Sequence, residues 1–281
     1  MPTFQTPEPI GVRVCLQAGA VAIRTSTAGV TSVEVQPADP ASQADVAATS
    51  ATRVDCDRRR LTIEAPRHKW WQAFGAGASV AVTVEVPEGS RLELHGGAVY
   101  FDCTGRYGET RIQIASGHVV LGTTGPIKAD TASGDVVADR VLGDLRVRSA
   151  SGNVRVGEVT GTVDVKSASG NVTLGQTGGD VRLIGASSDV NLDRALSSVG
   201  IKLASGNVRI GSALRGSISL HAASGGLELG VPEGTAAKLD VTSGSGRVHS
   251  SLPPASGPAP ADQLLEVHVR TGSGDVLVHR A

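Results

Sequence analysis

From residue 115 onward, short runs of alternating apolar and polar positions recur at a fixed interval. Val154 and Val156 flank Arg155, and Val163 and Val165 flank Asp164. Alternation with period two turns one face of a strand into a core and the other toward water. A turn phrase punctuates the runs: a small residue, Ser, Gly, a polar residue, then Val or Leu. It occurs at Ser116-Gly117-His118-Val119, Ser133-Gly134-Asp135-Val136, Ser151-Gly152-Asn153-Val154 and Ser169-Gly170-Asn171-Val172. It continues at Ser187-Ser188-Asp189-Val190, Ser205-Gly206-Asn207-Val208 and Ser224-Gly225-Gly226-Leu227. Successive serines are 17, 18, 18, 18, 18 and 19 residues apart, with looser copies at Ser243-Gly244 and Ser273-Gly274-Asp275-Val276. A second turn lies midway, at Gly143-Asp144, Gly161-Thr162 and Gly179-Asp180, each glycine nine residues after the preceding one of the first phrase. One repeat is therefore two strand-and-turn units.

Aligned at this interval, the apolar positions form columns. One reads Val136, Val154, Val172, Val190, Val208, and the next reads Ala138, Val156, Leu174, Leu192, Ile210. The other half of the repeat supplies Leu145, Val163, Val181, Val199 and Val147, Val165, Leu183, Ile201. Branched aliphatics stacked on their own kind make the inner walls of a flattened coil. The pattern predicts an all-β protein, a single-domain β-solenoid with about 18 residues and two strands per coil, each coil adding about 4.8 Å. A meander of antiparallel hairpins fits less well, because it needs no identity at every second turn. The turn column His118, Asp135, Asn153, Asn171, Asp189, Asn207 suits residues that tolerate left-handed backbone and bond neighbouring amides, and the glycine before them supplies positive φ. Asp135, Asn153, Asn171, Asp189 and Asn207 are expected to form a structural ladder.

Residues 1–110 read as an irregular N-terminal β region and cap, with strands at 11–16, 21–25, 32–36, 60–65 and 79–86. Residues 111–281 hold the solenoid repeats. The stretch 253–262, PPASGPAPAD, is a Pro-rich loop inserted before a last coil at 264–270 and 276–279.

Composition supports this picture. All seven aromatic residues lie at or before Tyr107, so the repeats must be filled by aliphatic side chains. Net charge is −1, which gives no bulk reason to expect nucleic acid. The N-terminal segment has neither a basic stretch nor a continuous apolar run, and no apolar segment is long enough to span a membrane. With three cysteines, Cys15, Cys56 and Cys103, and no C-x-x-C pair, a cytoplasmic protein with reduced thiols is expected.

The tandem SASGNV phrases at 149–154 and 167–172, with the segment VTVEVPEGSRL at 82–92 ahead of them, resemble the bacterial "putative adhesin" family of β-strand-repeat proteins, a domain of unknown function. The resemblance covers almost the whole chain. It implies a non-enzymatic structural or interaction scaffold and supplies no catalytic residues. The sequence departs from it in showing no export signal. Two alternatives stand beside it: a self-assembling cytoplasmic polymer of the bactofilin type and, more remotely, a β-helix enzyme acting on polysaccharide.

Candidate chemistry is sparse. The carboxylates Asp135, Asp144, Glu158, Asp164, Asp180 and Asp189 are scattered rather than paired as acid–base work requires. Asp164 falls in a column between Arg146 and Arg182. The repeats lack the G-G-x-G-x-D phrase of calcium-binding nonapeptides, the seven histidines form no H-x-x-x-H pair, and no G-x-S-x-G elbow occurs. No catalytic residue, metal site or cofactor is expected. The column Arg148, Lys166, Lys202, broken by Ile184, reads as a solvated face, although a short basic stripe can meet an anionic polymer. No aromatics interleave with it, which argues against single-stranded nucleic acid. The segment Arg67, His68, Lys69, Trp70, Trp71, Phe74 reads either as the cap of the core or as a docking loop, spanning 66–77, for a protein partner, self-association or a membrane surface.

Overall fold

The computed structural model describes residues 2–57, 59–66, 78–253 and 263–281. Of the described residues 72% are strand and 3% helix, and they form a β-solenoid of parallel strands. It divides into two compact units, Met1–Arg140 and Val141–Ala281.

In the first unit a coil is one long bent strand. Strand β2 (Gly11–Ser26) follows the short β1 (Thr3–Gln5). It pairs in parallel with β7 (Arg91–Tyr107), from Gly11↔Arg91 to Arg24↔Thr104. Strand β7 in turn pairs with β8 (Thr110–Thr124), from Leu92↔Thr110 onward. Strand β9 (Ile127–Val141) continues the period, burying Ile127, Ala129, Val136 and Ala138. The two expected strands at 11–16 and 21–25 are thus a single strand that bends at Gly19, where φ is 135°.

Between β2 and β7 lies an insertion: β3 (Val30–Pro37), α1 (Gln43–Ala51), β4 (Arg53–Cys56), β5 (Arg60–Glu64) and β6 (Val80–Pro87). Strands β5 and β6 extend β2 in parallel. Strands β3, β4 and β1 add antiparallel pairs at the margins. The helix was not anticipated, although Ser42 stands three residues before Asp45 and an alanine-rich run follows. The Ser42 hydroxyl accepts from the Asp45 N–H at 3.3 Å. The buried Asp45 carboxylate accepts from the N–H groups of Asp39 and Ser79, both at 3.0 Å, and so ties the helix to the start of β6.

In the second unit each coil splits into two strands at the Ser-Gly turn. One wall is β10 (Leu145–Ser151), β12 (Val163–Ser169), β14 (Val181–Ser187), β16 (Val199–Ser205) and β18 (Gly216–Ser224). The other is β11 (Val154–Val159), β13 (Val172–Thr177), β15 (Val190–Ala195), β17 (Val208–Ala213) and β19 (Leu227–Val231). The registers match the expected columns: Leu145↔Val163, Val163↔Val181 and Val181↔Val199 on one wall, Val154↔Val172, Val172↔Val190 and Val190↔Val208 on the other. Every one of these residues is buried. Filling the coil with similar branched side chains lets each layer repeat the one before it.

Positive φ falls on the glycine before the turn column, as at Gly152 (φ 138°) and Gly206 (φ 130°), and on no non-glycine residue among those described. One expectation is corrected, the place of the final coil. Strands β22 (Gln263–Ser273) and β23 (Val276–Arg280) come last in the chain but not in the stack. They insert between β18/β19 and the pair β20 (Thr235–Ser245) and β21 (Val248–Ser250). The penultimate coil in sequence is therefore the outermost of the unit.

Candidate functional site: a basic column beside an alanine floor

The outward positions of β10, β12, β14, β16, β18 and β22 stack into a column. Its members are Arg148, Lys166, Ile184, Lys202, His221 and Arg270, joined by the registers Arg148↔Lys166, Lys166↔Ile184, Ile184↔Lys202, Lys202↔His221 and His221↔Arg270. Strand spacing sets neighbouring members about 4.8 Å apart. The four cations and the histidine are exposed, and none makes an ion pair among the described residues. Two positions further along each strand, Ala150, Ala168, Ala186, Ala204 and Ala223 are also exposed. Their short side chains leave a flat strip beside the charges. At its far end Lys202, His221, Thr242 and Arg270 border a hollow of about 750 Å³. Two positions in the other direction the charges cancel, with Arg146 Nε 3.7 Å from the Asp164 carboxylate.

The turn column works as a ladder of side chains under backbone amides. Asn153 Oδ1 accepts from the Asn171 N–H at 3.1 Å, Asp189 Oδ1 from the Asn207 N–H at 2.8 Å, and Asn207 Oδ1 from the Gly226 N–H at 3.1 Å. The midway turns repeat the device. Asp144 Oδ1 accepts from both the N–H and the hydroxyl of Thr162 at 2.8 Å, and these two donors hold its carboxyl below the usual range. Asp180 Oδ1 accepts from the Ser197 hydroxyl and the Ser198 N–H. The ladder residues Asn171, Asp189 and Asn207 border a groove of about 490 Å³ on the other wall. In the first unit Asp135 pairs with His118 Nδ1 at 3.0 Å, and the half-exposed Tyr100 ring meets His118 edge-on at 6.5 Å.

A cleft of about 780 Å³ in the first unit gathers Arg13, Arg59, Arg60, Arg91 and Arg111 around Glu93. Gly11 lies between Arg60 and Arg91 on adjacent strands, and its missing side chain opens the floor. Glu93 is spoken for: His95 Nε2 lies at 3.0 Å, Arg60 Nη2 at 3.6 Å and Arg13 Nε at 3.8 Å. The His95 hydrogen bond, then the two arginines, hold its carboxyl below the usual range against the opposing effect of burial.

The sequence model of the Toastrack DUF4097 domain, a domain of unknown function, matches residues 16–281. The chain belongs to the Toastrack DUF4097 family. Among solved structures this Toastrack chain is similar to a "putative lipid binding protein" from Parabacteroides distasonis, at 13% identity and TM-score 0.42, covering 98% of this chain and 95% of that one. It is similar to a "putative adhesin" from the same organism at 12% identity and TM-score 0.36, with 100% and 95% coverage. It is also similar to a "putative adhesin" from Bacteroides fragilis at 12% identity and TM-score 0.42, with 99% and 95% coverage. No curated protein matches the sequence significantly.

Of the residues singled out in the Toastrack sequence, Asn153 bonds the amide of Asn171, and Asp189 bonds the amide of Asn207. Arg67, His68, Lys69, Trp70, Trp71 and Phe74 lie outside the described residues. The basic column is longer than the sequence indicated. His221 and Arg270 join it through 19- and 49-residue offsets, which a strict 18-residue alignment does not bring into line. The arginine cleft carried no sequence signal, because its members come from separate segments. Among the described residues no group of three or more His, Cys, Asp or Glu side chains is placed to hold a metal ion, and no helix is long and apolar enough to cross a membrane. The three cysteines are free thiols, and burial pushes that of Cys103 up.

The ladder's contribution to stability is open to a direct measurement. Asn207→Ala leaves the Gly226 N–H without its side-chain acceptor and is expected to lower stability by about 0.5–1 kcal/mol, the low end for a hydrogen bond because water can replace it. Urea unfolding reads the effect. An unchanged midpoint would show that the ladder is structurally idle.

Proposed function

We propose that this Toastrack chain is a non-enzymatic, adhesin-like scaffold that holds an anionic polymer along the basic column of its second unit. The observation that carries this reading is the stacking of Arg148, Lys166, Lys202 and Arg270 with His221, exposed and free of carboxylate partners, along an alanine strip. Like charges held a few ångströms apart repel one another in the empty protein. A polymer with regularly spaced carboxylates, sulfates or phosphates relieves that repulsion along its whole length. The alanine strip lets an extended chain lie close to the cations without displacing large side chains. The carboxylates support a binding rather than a catalytic role, since Asp144, Asp164 and Asp180 are each engaged in turns or ion pairs. The strands that carry the column contain no aromatic residue, which favours a polysaccharide over a single-stranded nucleic acid, whose bases would need stacking partners.

The test uses heparin as the probe. Wild-type protein is expected to bind it with an affinity that falls steeply between 0.1 M and 1 M salt, as the screening length drops from about 10 Å to about 3 Å. The triple variant Arg148→Glu/Lys166→Glu/Lys202→Glu is expected to bind at least about tenfold more weakly. Arg146→Glu, beside the column but already paired with Asp164, is expected to change affinity by less than about threefold. Equal losses in both variants, or binding indifferent to all three reversals, would sink the proposal.

A further inference from the structure

Among the described residues, the outermost coil of the second unit ends in an unpaired strand edge. Among the described residues β20 pairs only with β22, and nothing pairs with its far side. With 11 residues it is long for an edge strand. Two apolar side chains of this coil are uncovered: Leu239 is 37% exposed and Val248 on β21 is 51% exposed, whereas Val267 and Val276, one coil deeper, are 0% and 1% exposed. Strands that resist pairing carry a proline or turn a charge inward. Residues 235–250 contain no proline. The two charged residues of β20, Lys238 and Asp240, are of opposite sign and stand in register with Glu266 and His268 on the outward face, so an antiparallel partner of the same sequence can match them.

The backbone is also oriented for pairing. The Gly234 carbonyl accepts from the Gln263 N–H at 2.8 Å. The register then runs unbroken from Thr235↔Gln263 to Ser243↔Thr271. Peptide groups alternate along a strand, so those of Ala236, Lys238 and Asp240 face β22. Those of Ala237, Leu239 and Val241 face away from the stack.

We propose that β20 is a dimerisation edge whose occupant is β20 of a second copy, antiparallel about a twofold axis at Leu239. The sequence around that point is self-complementary. In this arrangement Leu239 faces Leu239 of the second copy in a hydrogen-bonded pair, and Ala237 faces Val241. Lys238 then faces Asp240 twice, once on each side of the axis. Those two charge pairs occupy the non-hydrogen-bonded positions, where opposed side chains come closest. A twofold contact uses the edge of both copies and closes at the dimer, so it does not propagate into fibres. The uncovered Leu239 and Val248 would meet their counterparts and bury the open end of the core. This inference does not depend on the basic column, which lies on the outer wall.

The test is a charge-exchange cycle read by light scattering across a concentration series. Wild-type protein is expected to reach twice the 28.5 kDa chain mass. Lys238→Asp and Asp240→Lys each place like charges opposite one another and are expected to weaken the dimer by about tenfold. The double variant Lys238→Asp/Asp240→Lys restores both pairs and is expected to return to within about threefold of wild type. Asp240 also bonds His268 at 3.3 Å. Both Asp240→Lys and the double variant lose that contact, so recovery in the double variant reports pairing alone. Circular dichroism of each variant confirms that the coils remain folded. A wild-type monomer at every concentration overturns the proposal, as does a dimer indifferent to both single variants or a double variant as weak as either of them. Heparin binding is scored separately on the Arg148, Lys166 and Lys202 variants, so either idea can fail without the other.

Discussion

Val163→Asp is expected to unfold the coils around it, lowering stability by about 4 kcal/mol or more. Val163 is 1% exposed and sits in the core column between Leu145 and Val181. Its neighbours along the inward face, Val165, Val147 and Leu183, are buried aliphatics that offer a carboxylate neither cation nor donor. A buried, unpaired charge is among the most damaging single changes available to a core. The damage should spread, because each coil is stabilised mainly by the coils directly above and below it. Arg155→Ala is the matched control. It lies on the wet face beside Val154 and Val156 and is expected to cost less than about 0.5 kcal/mol. Urea unfolding followed by circular dichroism gives both values, and hydrogen exchange shows which coils open first. Comparable losses from the two variants would mean that the inside and outside of the coil have been misassigned.

Gly170→Val should be nearly as damaging, for a reason unrelated to hydrophobicity. Gly170 has φ of 117°, a conformation costly to any residue with a Cβ. A Cβ built there would also fall on the carbonyl oxygen of Gly152 in the coil below. That oxygen belongs to backbone locked into the stack, so it cannot swing aside as a flexible side chain would. The combined cost is expected to be about 3 kcal/mol or more. Gly200 provides the contrast. Its φ is not positive, and an added Cβ would find only the Val181 carbonyl oxygen, at 3.8 Å. Gly200→Ser is therefore expected to stay within about 0.5 kcal/mol of wild type. Thermal melts of the pair decide the matter. Equal stability of Gly170→Val and wild type would contradict the stacking described here.

How much of this was legible beforehand follows from the nature of a repeat. In the second unit, residues 18 apart in the chain become neighbours in space, so the alternation around Val154 and Val163 already states which side chains face inward and which residues they stack upon. The turn phrase repeats for the same reason: its glycine bends the chain, as at Gly152 and Gly206, and the Asn after it accepts from the next coil's amide, as at Asn153 and Asn207. Alternation specifies the face of a strand but not its partner. That choice depends on packing among segments far apart in the chain, and it needed the folded structure. Strand β2 finds β7 across 80 residues, with an insertion and a helix between them. Strand β22 passes over β20 to pair with β18. This exchange exposes Leu239, extends the basic column through Arg270 and leaves the outermost edge to a strand whose charges match their own reverse. The arginine cleft likewise exists only because parallel pairing sets Arg60, Gly11 and Arg91 side by side. Period and burial are local consequences of side-chain size and polarity, whereas the order of the coils and the surfaces that order creates arise only when distant strands compete for the same edge.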